Sequence, residues 1–206
     1  MTRPVRVAVI DYGIGNLRSA QKALETTGAD ALLTGDALLI ESADAVVLPG
    51  VGSFGSCMAA LRERGLDATV TDAVAAGMPF LGVCVGMQML FEGSAEDEGV
   101  AGLGLLGGRV EPVPAGVPRP QMQWNVVEPV MDDEVLGAGR EWMYFVHSYR
   151  CVPTDPGIVA STCRYGGDIT AAVRKENVRA VQFHPEKSGA AGLALLGRFV
   201  VSVAPR

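Results

Sequence analysis

Cys84 stands between two glycines in Gly82-Val83-Cys84-Val85-Gly86, the thiol version of the G-x-S-x-G nucleophile turn. Small flanking residues let the backbone crowd a sharp strand-to-helix bend, which holds the reactive atom out at the edge of a sheet. A helix beginning beneath the sulfur would present unpaired N–H groups and a partial positive charge, which favour thiolate over thiol. Such a nucleophile needs a base to take its proton and return it to a leaving group, and the chain holds two histidines, His147 and His184. His184 follows the run Arg179 to Phe183, which reads as a strand, so it arrives at the same sheet edge as Cys84. Glu186 lies two residues on, with Pro185 between them to stiffen the turn, where a carboxylate can set the tautomer and orientation of the imidazole. His147, in Phe145-Val146-His147-Ser148-Tyr149, alternates like a strand residue with no carboxylate near it, and reads as structural or as part of a substrate wall.

A cysteine with a base and a carboxylate suits acyl transfer, and acyl transfer needs donors for the oxyanion that develops. Two sources are available: the N–H of Val85, directly after the nucleophile, and the loop Gly50-Val51-Gly52 at the end of a neighbouring strand. Glycines in that loop allow backbone amides to approach a substrate and to reorient.

The elements that must position these groups read as an α/β fold: a mostly parallel sheet flanked by helices, with further antiparallel strands, of flavodoxin or Rossmann-like type. Val5 to Ile10 is a β-branched strand, followed by a glycine-containing turn and an apolar stripe at Leu17, Ala20 and Leu24 with helical spacing. Ala29 to Leu33 and Ala45 to Leu48 read as strands, Cys57 to Arg64 and Ala68 to Ala76 as helices. Phe80 to Val83 is then the strand that leads into Cys84, with a helix from Met87 onward. Strands separated by helices imply parallel pairing, with ligands bound beyond the carboxyl ends of the strands. After Phe91 the sequence is rich in Gly and Pro from Gly99 to Pro120. Short segments at Gln123–Val127 and Trp142–Val146 follow, and this half as a whole reads as antiparallel strands and loops attached to the same sheet. Ser188 is the expected N-cap of a final helix running through Val203.

With 206 residues, 49% of them hydrophobic, the chain can bury a core without disulfides or metals and reads as one domain, 1–206. A net charge of −6 with scattered basic residues lacks the electrostatic footprint of a nucleic-acid binder. No apolar stretch is long enough to span a bilayer, and a cytoplasmic protein is expected. The four cysteines form no C-x-x-C pair, so neither a zinc site nor a disulfide framework is indicated. Gly13-x-Gly15 is an incomplete dinucleotide fingerprint because Arg18 occupies the third glycine position, and no cofactor is expected.

Taken together, Gly-Val-Cys84-Val-Gly-Met-Gln88 and His184-Pro-Glu186 resemble the class I (triad) glutamine amidotransferases. Asp11-Tyr-Gly-Ile-Gly-Asn16, Pro49-Gly-Val-Gly-Ser-Phe54, Phe145-Val-His-Ser-Tyr149 and Phe183-His-Pro-Glu-Lys-Ser188 are similar to the glutaminase subunits of imidazole glycerol phosphate synthase. The resemblance implies that Cys84 attacks the side-chain amide of glutamine, that His184 transfers the proton and that Glu186 steadies His184. It also implies that Gln88, Glu96, Ser148 and Tyr149 contact the glutamine, and that Asn16, Trp124, Tyr144 and Lys187 face a (β/α)8-barrel cyclase subunit in a heterodimer. Gln121 and Gln123 depart from the family's pattern, which commonly has His and Gly in that segment. On the residues alone, three other readings stay open: a glutaminase serving another synthase, a free-standing cysteine hydrolase and a non-catalytic binding subunit.

Overall fold

The computed structural model of the chain describes residues 3–203. Its first half alternates strand and helix: β1 (Arg6–Ile10), α1 (Leu17–Thr26), β2 (Asp30–Thr34), α2 (Ala37–Glu41), β3 (Ala45–Gly50), α3 (Phe54–Glu63), α4 (Leu66–Ala75) and β4 (Phe80–Cys84). β3 and β4 are buried along their whole lengths, as strands covered by helices on both faces must be. β2 pairs with β1, β1 with β3 and β3 with β4, all in parallel. The chain therefore steps one way from β1 to β2 and the other way from β2 through β3 to β4. Right-handed crossovers then place α1 on one face and α2, α3 and α4 on the other. The reversal in strand order opens a crevice beyond the carboxyl ends of β1 and β3, next to the end of β4.

The second half consists of α5 (Val85–Gln88), β5 (Gly93–Ser94), β6 (Gly108–Pro112), β7 (Gln121–Pro129), β8 (Glu141–His147), β9 (Tyr149–Pro153), β10 (Val159–Arg164), β11 (Asp168–Lys175), β12 (Val178–Val181) and α6 (Gly189–Ser202). β12 pairs in parallel with β4 and carries the antiparallel extension β11, β10, β7 and β8, which completes a nine-stranded sheet among the described residues. α6 packs against α1.

Three expectations are corrected. β5, β6 and β9 do not join the main sheet but form a separate three-stranded sheet, with β6 lying inside the Gly- and Pro-rich segment. The helix after the nucleophile begins at Val85 rather than Met87 and is a single turn, so its dipole is small. Ser188 occupies the N-cap position of α6 but does not cap it. Its hydroxyl donates to the His184 carbonyl at 2.6 Å and accepts from the Tyr144 N–H at 3.0 Å, tying the histidine turn to β8.

Candidate active site

Cys84 ends β4 with φ 55° and ψ −113°, a left-handed conformation that non-glycine residues adopt only under constraint. The constraint is close packing of backbone on backbone. A Cβ at Gly86 would overlap the Leu48 carbonyl oxygen, and one at Gly50 would lie 2.6 Å from the Gly86 nitrogen. The glycines thus let the first turn of α5 lie directly on the end of β3. That contact sets the bend carrying the sulfur.

His184 reaches the same edge because β12 runs beside β4 in parallel, Val181 opposite Val83. Its Nδ1 lies 2.9 Å from Glu186 Oε1, and the two side chains are only 3% and 8% exposed. The opposite ring nitrogen, Nε2, is buried without a hydrogen-bond partner. With Nδ1 engaged by Glu186, interaction with the Cys84 sulfur falls to Nε2. Burial alone would lower the pKa of His184, but Cys84 and Glu186 outweigh it and raise it to about 10. The protonated imidazole is therefore the form that Cys84 and Glu186 together favour.

His147 is the opposite case. Burial lowers its pKa to about 4, the proximity of His184 adds to the effect, and the hydrogen bond to the Tyr149 carbonyl only partly offsets it. Its Nδ1 donates to that carbonyl at 2.8 Å, so in the neutral ring that burial favours the unprotonated nitrogen is Nε2. The two histidines are thus divided by environment: the surroundings of His184 favour the charged imidazolium and those of His147 the neutral ring.

A cavity of about 420 Å³ opens onto Cys84 and His184. Val51, Gly52, Val85, Gln88, Glu96, Ser148 and Tyr149 line it, and so do Asn16, Pro120, Val146, His147 and Lys187. The end of β3 and the loop that follows it are held by their carbonyls: Pro49 accepts from the Tyr12 hydroxyl at 2.8 Å and Val51 from the Cys57 thiol at 3.2 Å. Burial, the first cause in each case, raises the pKa values of Tyr12 and Cys57, so both remain neutral donors. Among the described residues no group of three or more His, Cys, Asp or Glu could hold a metal ion.

Residues 8–203 match the glutamine amidotransferase class-I family. Relatives named imidazole glycerol phosphate synthase subunit HisH include one from Methanothermobacter thermautotrophicus, 51% identical over 94% of this chain and 97% of the relative. Another, from Rhodopirellula baltica, is 47% identical over 95% of this chain and 97% of its own length. A solved glutamine amidotransferase superposes with a TM-score of 0.73 at 25% identity, covering 91% of this chain and 94% of the other. The chain belongs to the class-I glutamine amidotransferases. Within that family its nearly full-length similarity at about half identity places it with the HisH subunits. The PurLQS structure from Thermotoga maritima shares the fold, with a TM-score of 0.76 at 21% identity over 97% of this chain and 98% of the other.

In this amidotransferase the residues expected around the substrate converge on one cavity, with two refinements. Gly50 lies just behind the cavity wall, on a small void shared with Asn16, His184 and Glu186. Glu96 has one oxygen, Oε2, already committed to the Phe54 N–H at the start of α3, at 2.8 Å. Of the residues expected at a partner interface, Asn16 and Lys187 lie in the cavity wall. Trp124 and Tyr144 lie outside the cavity, on the face of the β7–β8 pair. They oppose each other across the strands, with their rings edge to face at 6.0 Å. Met122 and Trp142 extend that face and are 64% and 60% exposed.

Sequence reasoning passed over Gln182. It is fully buried, and its Nε2 lies 3.8 Å from the Cys84 sulfur. The available signal was an amide in an otherwise apolar run, two residues before His184.

Proposed function

We propose that residues 1–206 act as one glutaminase domain that hydrolyses L-glutamine to glutamate and ammonia and passes the ammonia to a cyclase partner. The observation that carries this reading is the buried His184–Glu186 pair at 2.9 Å, whose Nε2 is left for the sulfur of a cysteine held at positive φ. In the proposed reaction the Cys84 sulfur attacks the side-chain amide carbon of glutamine and a C–S bond forms. Negative charge grows on the carbonyl oxygen, for which the Val85 N–H and the Gly50-Val51-Gly52 loop are the proposed donors. His184 gives its Nε2 proton to the departing nitrogen, the C–N bond breaks, and ammonia leaves behind a γ-glutamyl thioester. Water then adds with His184 as base, the C–S bond breaks and glutamate is released. Glu186 keeps the imidazole oriented throughout. Gln88, Glu96, Ser148 and Tyr149 are the proposed glutamine contacts. Gln88 spends both amide protons inside the chain, on the Tyr149 carbonyl and on Gln182, so it can offer a substrate only its oxygen.

The partner we propose is the (β/α)8-barrel cyclase subunit of imidazole glycerol phosphate synthase, in a heterodimer. There the ammonia would go into imidazole glycerol phosphate and aminoimidazole carboxamide ribotide in histidine biosynthesis. The relatives' names as synthase subunits support it. So does the exposed face built by Met122, Trp124 and Trp142 beside a cavity whose wall includes Asn16 and Lys187. Ammonia released to neutral water would be protonated and lose its nucleophilicity, which favours a covered route. The proposed setting is the cytoplasm, which suits the four unpaired cysteines.

The test measures glutamate release from glutamine by the purified chain alone, then with the cyclase subunit and its nucleotide substrate. Weak activity that rises steeply on addition supports a gated amidotransferase, whereas strong activity that neither addition changes overturns the partner reading. Cys84→Ala is expected to abolish glutamine-dependent synthesis by the complex while ammonia-dependent synthesis persists. Failure of ammonia to rescue this variant sinks the proposed division of labour.

A further inference from the structure

The one-turn α5 can supply little dipole to Cys84, which raises the question of what stabilises negative charge on the sulfur. The neighbouring hydrogen bonds form a chain whose orientation is fixed at one end. The Tyr149 carbonyl can only accept, so the Gln88 atom 3.1 Å from it must be the amide nitrogen. That nitrogen's second proton points to Gln182 at 3.0 Å, so Gln182 must present its oxygen to Gln88. The remaining end of the Gln182 amide, its N–H, then faces the Cys84 sulfur at 3.8 Å. Tyr149 also accepts from His147, so the carbonyl that starts the chain is itself held in place.

Gln182 has no freedom to turn over. A flipped amide would set its N–H₂ against the N–H₂ of Gln88, losing that hydrogen bond, and would turn toward the sulfur an oxygen that cannot stabilise negative charge. Its backbone is fixed too, since its N–H donates to the Ala171 carbonyl at 2.8 Å. Besides His184, the Val146 carbonyl lies near the sulfur at 4.0 Å, an acceptor that suits the neutral thiol. On ionisation that contact loses its proton while the Gln182 contact strengthens, because hydrogen bonds to charged acceptors are the stronger kind.

We propose that Gln182, oriented by Gln88 and the Tyr149 carbonyl, stabilises negative charge on the Cys84 sulfur directly through its amide N–H. The proposal rests on the reading of Cys84 as the nucleophile. It assigns Gln182 to both chemical steps: the sulfur is charged before it attacks glutamine, and again when the thioester is cleaved and it departs. The titratable and charged groups around the sulfur are His184 and Glu186 after β12, His147 on β8, Cys151 on β9, Tyr12 after β1, Cys57 in α3, and Glu96, Tyr149 and Lys187 in the cavity wall. A change at Gln182 leaves each of them in place.

The experiment uses Gln182→Met, which keeps the volume and removes the donor, and Gln182→Glu, an isostere that replaces the N–H₂ with oxygen. Alkylation of Cys84 by iodoacetamide is followed against pH in the full chain by mass spectrometry of the Cys84 peptide. In both variants alkylation at neutral pH is expected to slow about tenfold, and the whole rate–pH profile to move to higher pH. Glutaminase kcat in the complex with the cyclase subunit falls by a similar factor, while KM stays within about twofold. Gln88→Leu, which releases the Gln182 amide, moves the alkylation profile in the same direction. An unchanged profile in folded Gln182→Met or Gln182→Glu overturns the proposal. Cys84→Ala runs in parallel: if it keeps glutaminase activity, the nucleophile reading itself has failed, a result distinct from an unmoved alkylation profile.

Discussion

His147 offers a quantitative test of how the site divides protons between its two histidines. The perturbation is His147→Asn, whose side-chain N–H₂ occupies the place of Nδ1–H and can still donate to the Tyr149 carbonyl, now without a titrating ring. In the folded chain the pKa of His147 is lowered to about 4, against an ordinary value near 6.5 in the unfolded chain. Between those values the unfolded state binds the extra proton, so folding stability falls as pH falls. The slope is about 1.4 kcal/mol per pH unit. Across the interval the wild type should lose about 3 kcal/mol relative to the variant, all of it below pH 6.5. His184 works in the other direction and elsewhere on the pH scale. Its folded pKa is raised to about 10, so its contribution is fully present below pH 6.5 and is lost as pH rises through 10. Urea unfolding of both proteins at pH 7.5, 6, 5 and 4.5, followed by circular dichroism, measures the difference. Stability curves that stay parallel down to pH 4.5 would refute a neutral, buried His147. A gap that opened above pH 6.5 would mean that the wrong histidine had been assigned.

Two further outcomes follow from the same geometry. Glu186→Gln removes the carboxylate at 2.9 Å that orients His184 and supports its proton; kcat for glutamine hydrolysis should fall by about a hundredfold or more, and the pKa of His184, followed by NMR, should drop. A variant with normal kcat would show that the pair is not needed for turnover. Gly86→Ala forces a methyl group into the Leu48 carbonyl and should cost about 3 kcal/mol by urea unfolding, with loss of glutaminase activity, because β3 and α5 can no longer touch. Wild-type stability and activity in this variant would show that the backbone contact is not what shapes the bend at Cys84.

Much of the site was legible in the chain itself because the groups concerned act locally. Gly86, whose lack of a side chain permits the Cys84 bend, lies two residues from it, and Glu186 reaches His184 across a single proline. β-branched runs and apolar stripes marked the parallel strands and their helices, since burial on both faces of a sheet or on one face of a helix imposes a period that sequence displays directly. Periodicity also places Cys84 and His184 at strand ends, and so at one edge.

What lay beyond it depends on register between distant segments. Gln182 meets Gln88 across 94 residues and Cys84 across 98, and nothing near any of the three announces the contact. β6 and β9 build a sheet of their own with β7 and β8 lying between them in sequence, a long-range pairing that no local pattern displays. Ser188 carries the sequence signature of a helix cap, yet the nearness of Tyr144 and the His184 carbonyl gives its hydroxyl better partners. The sequence by itself therefore determined which residues can do the chemistry. Only the tertiary structure decided which buried polar groups orient them, because each buried donor must find an acceptor and the acceptors lie on other strands.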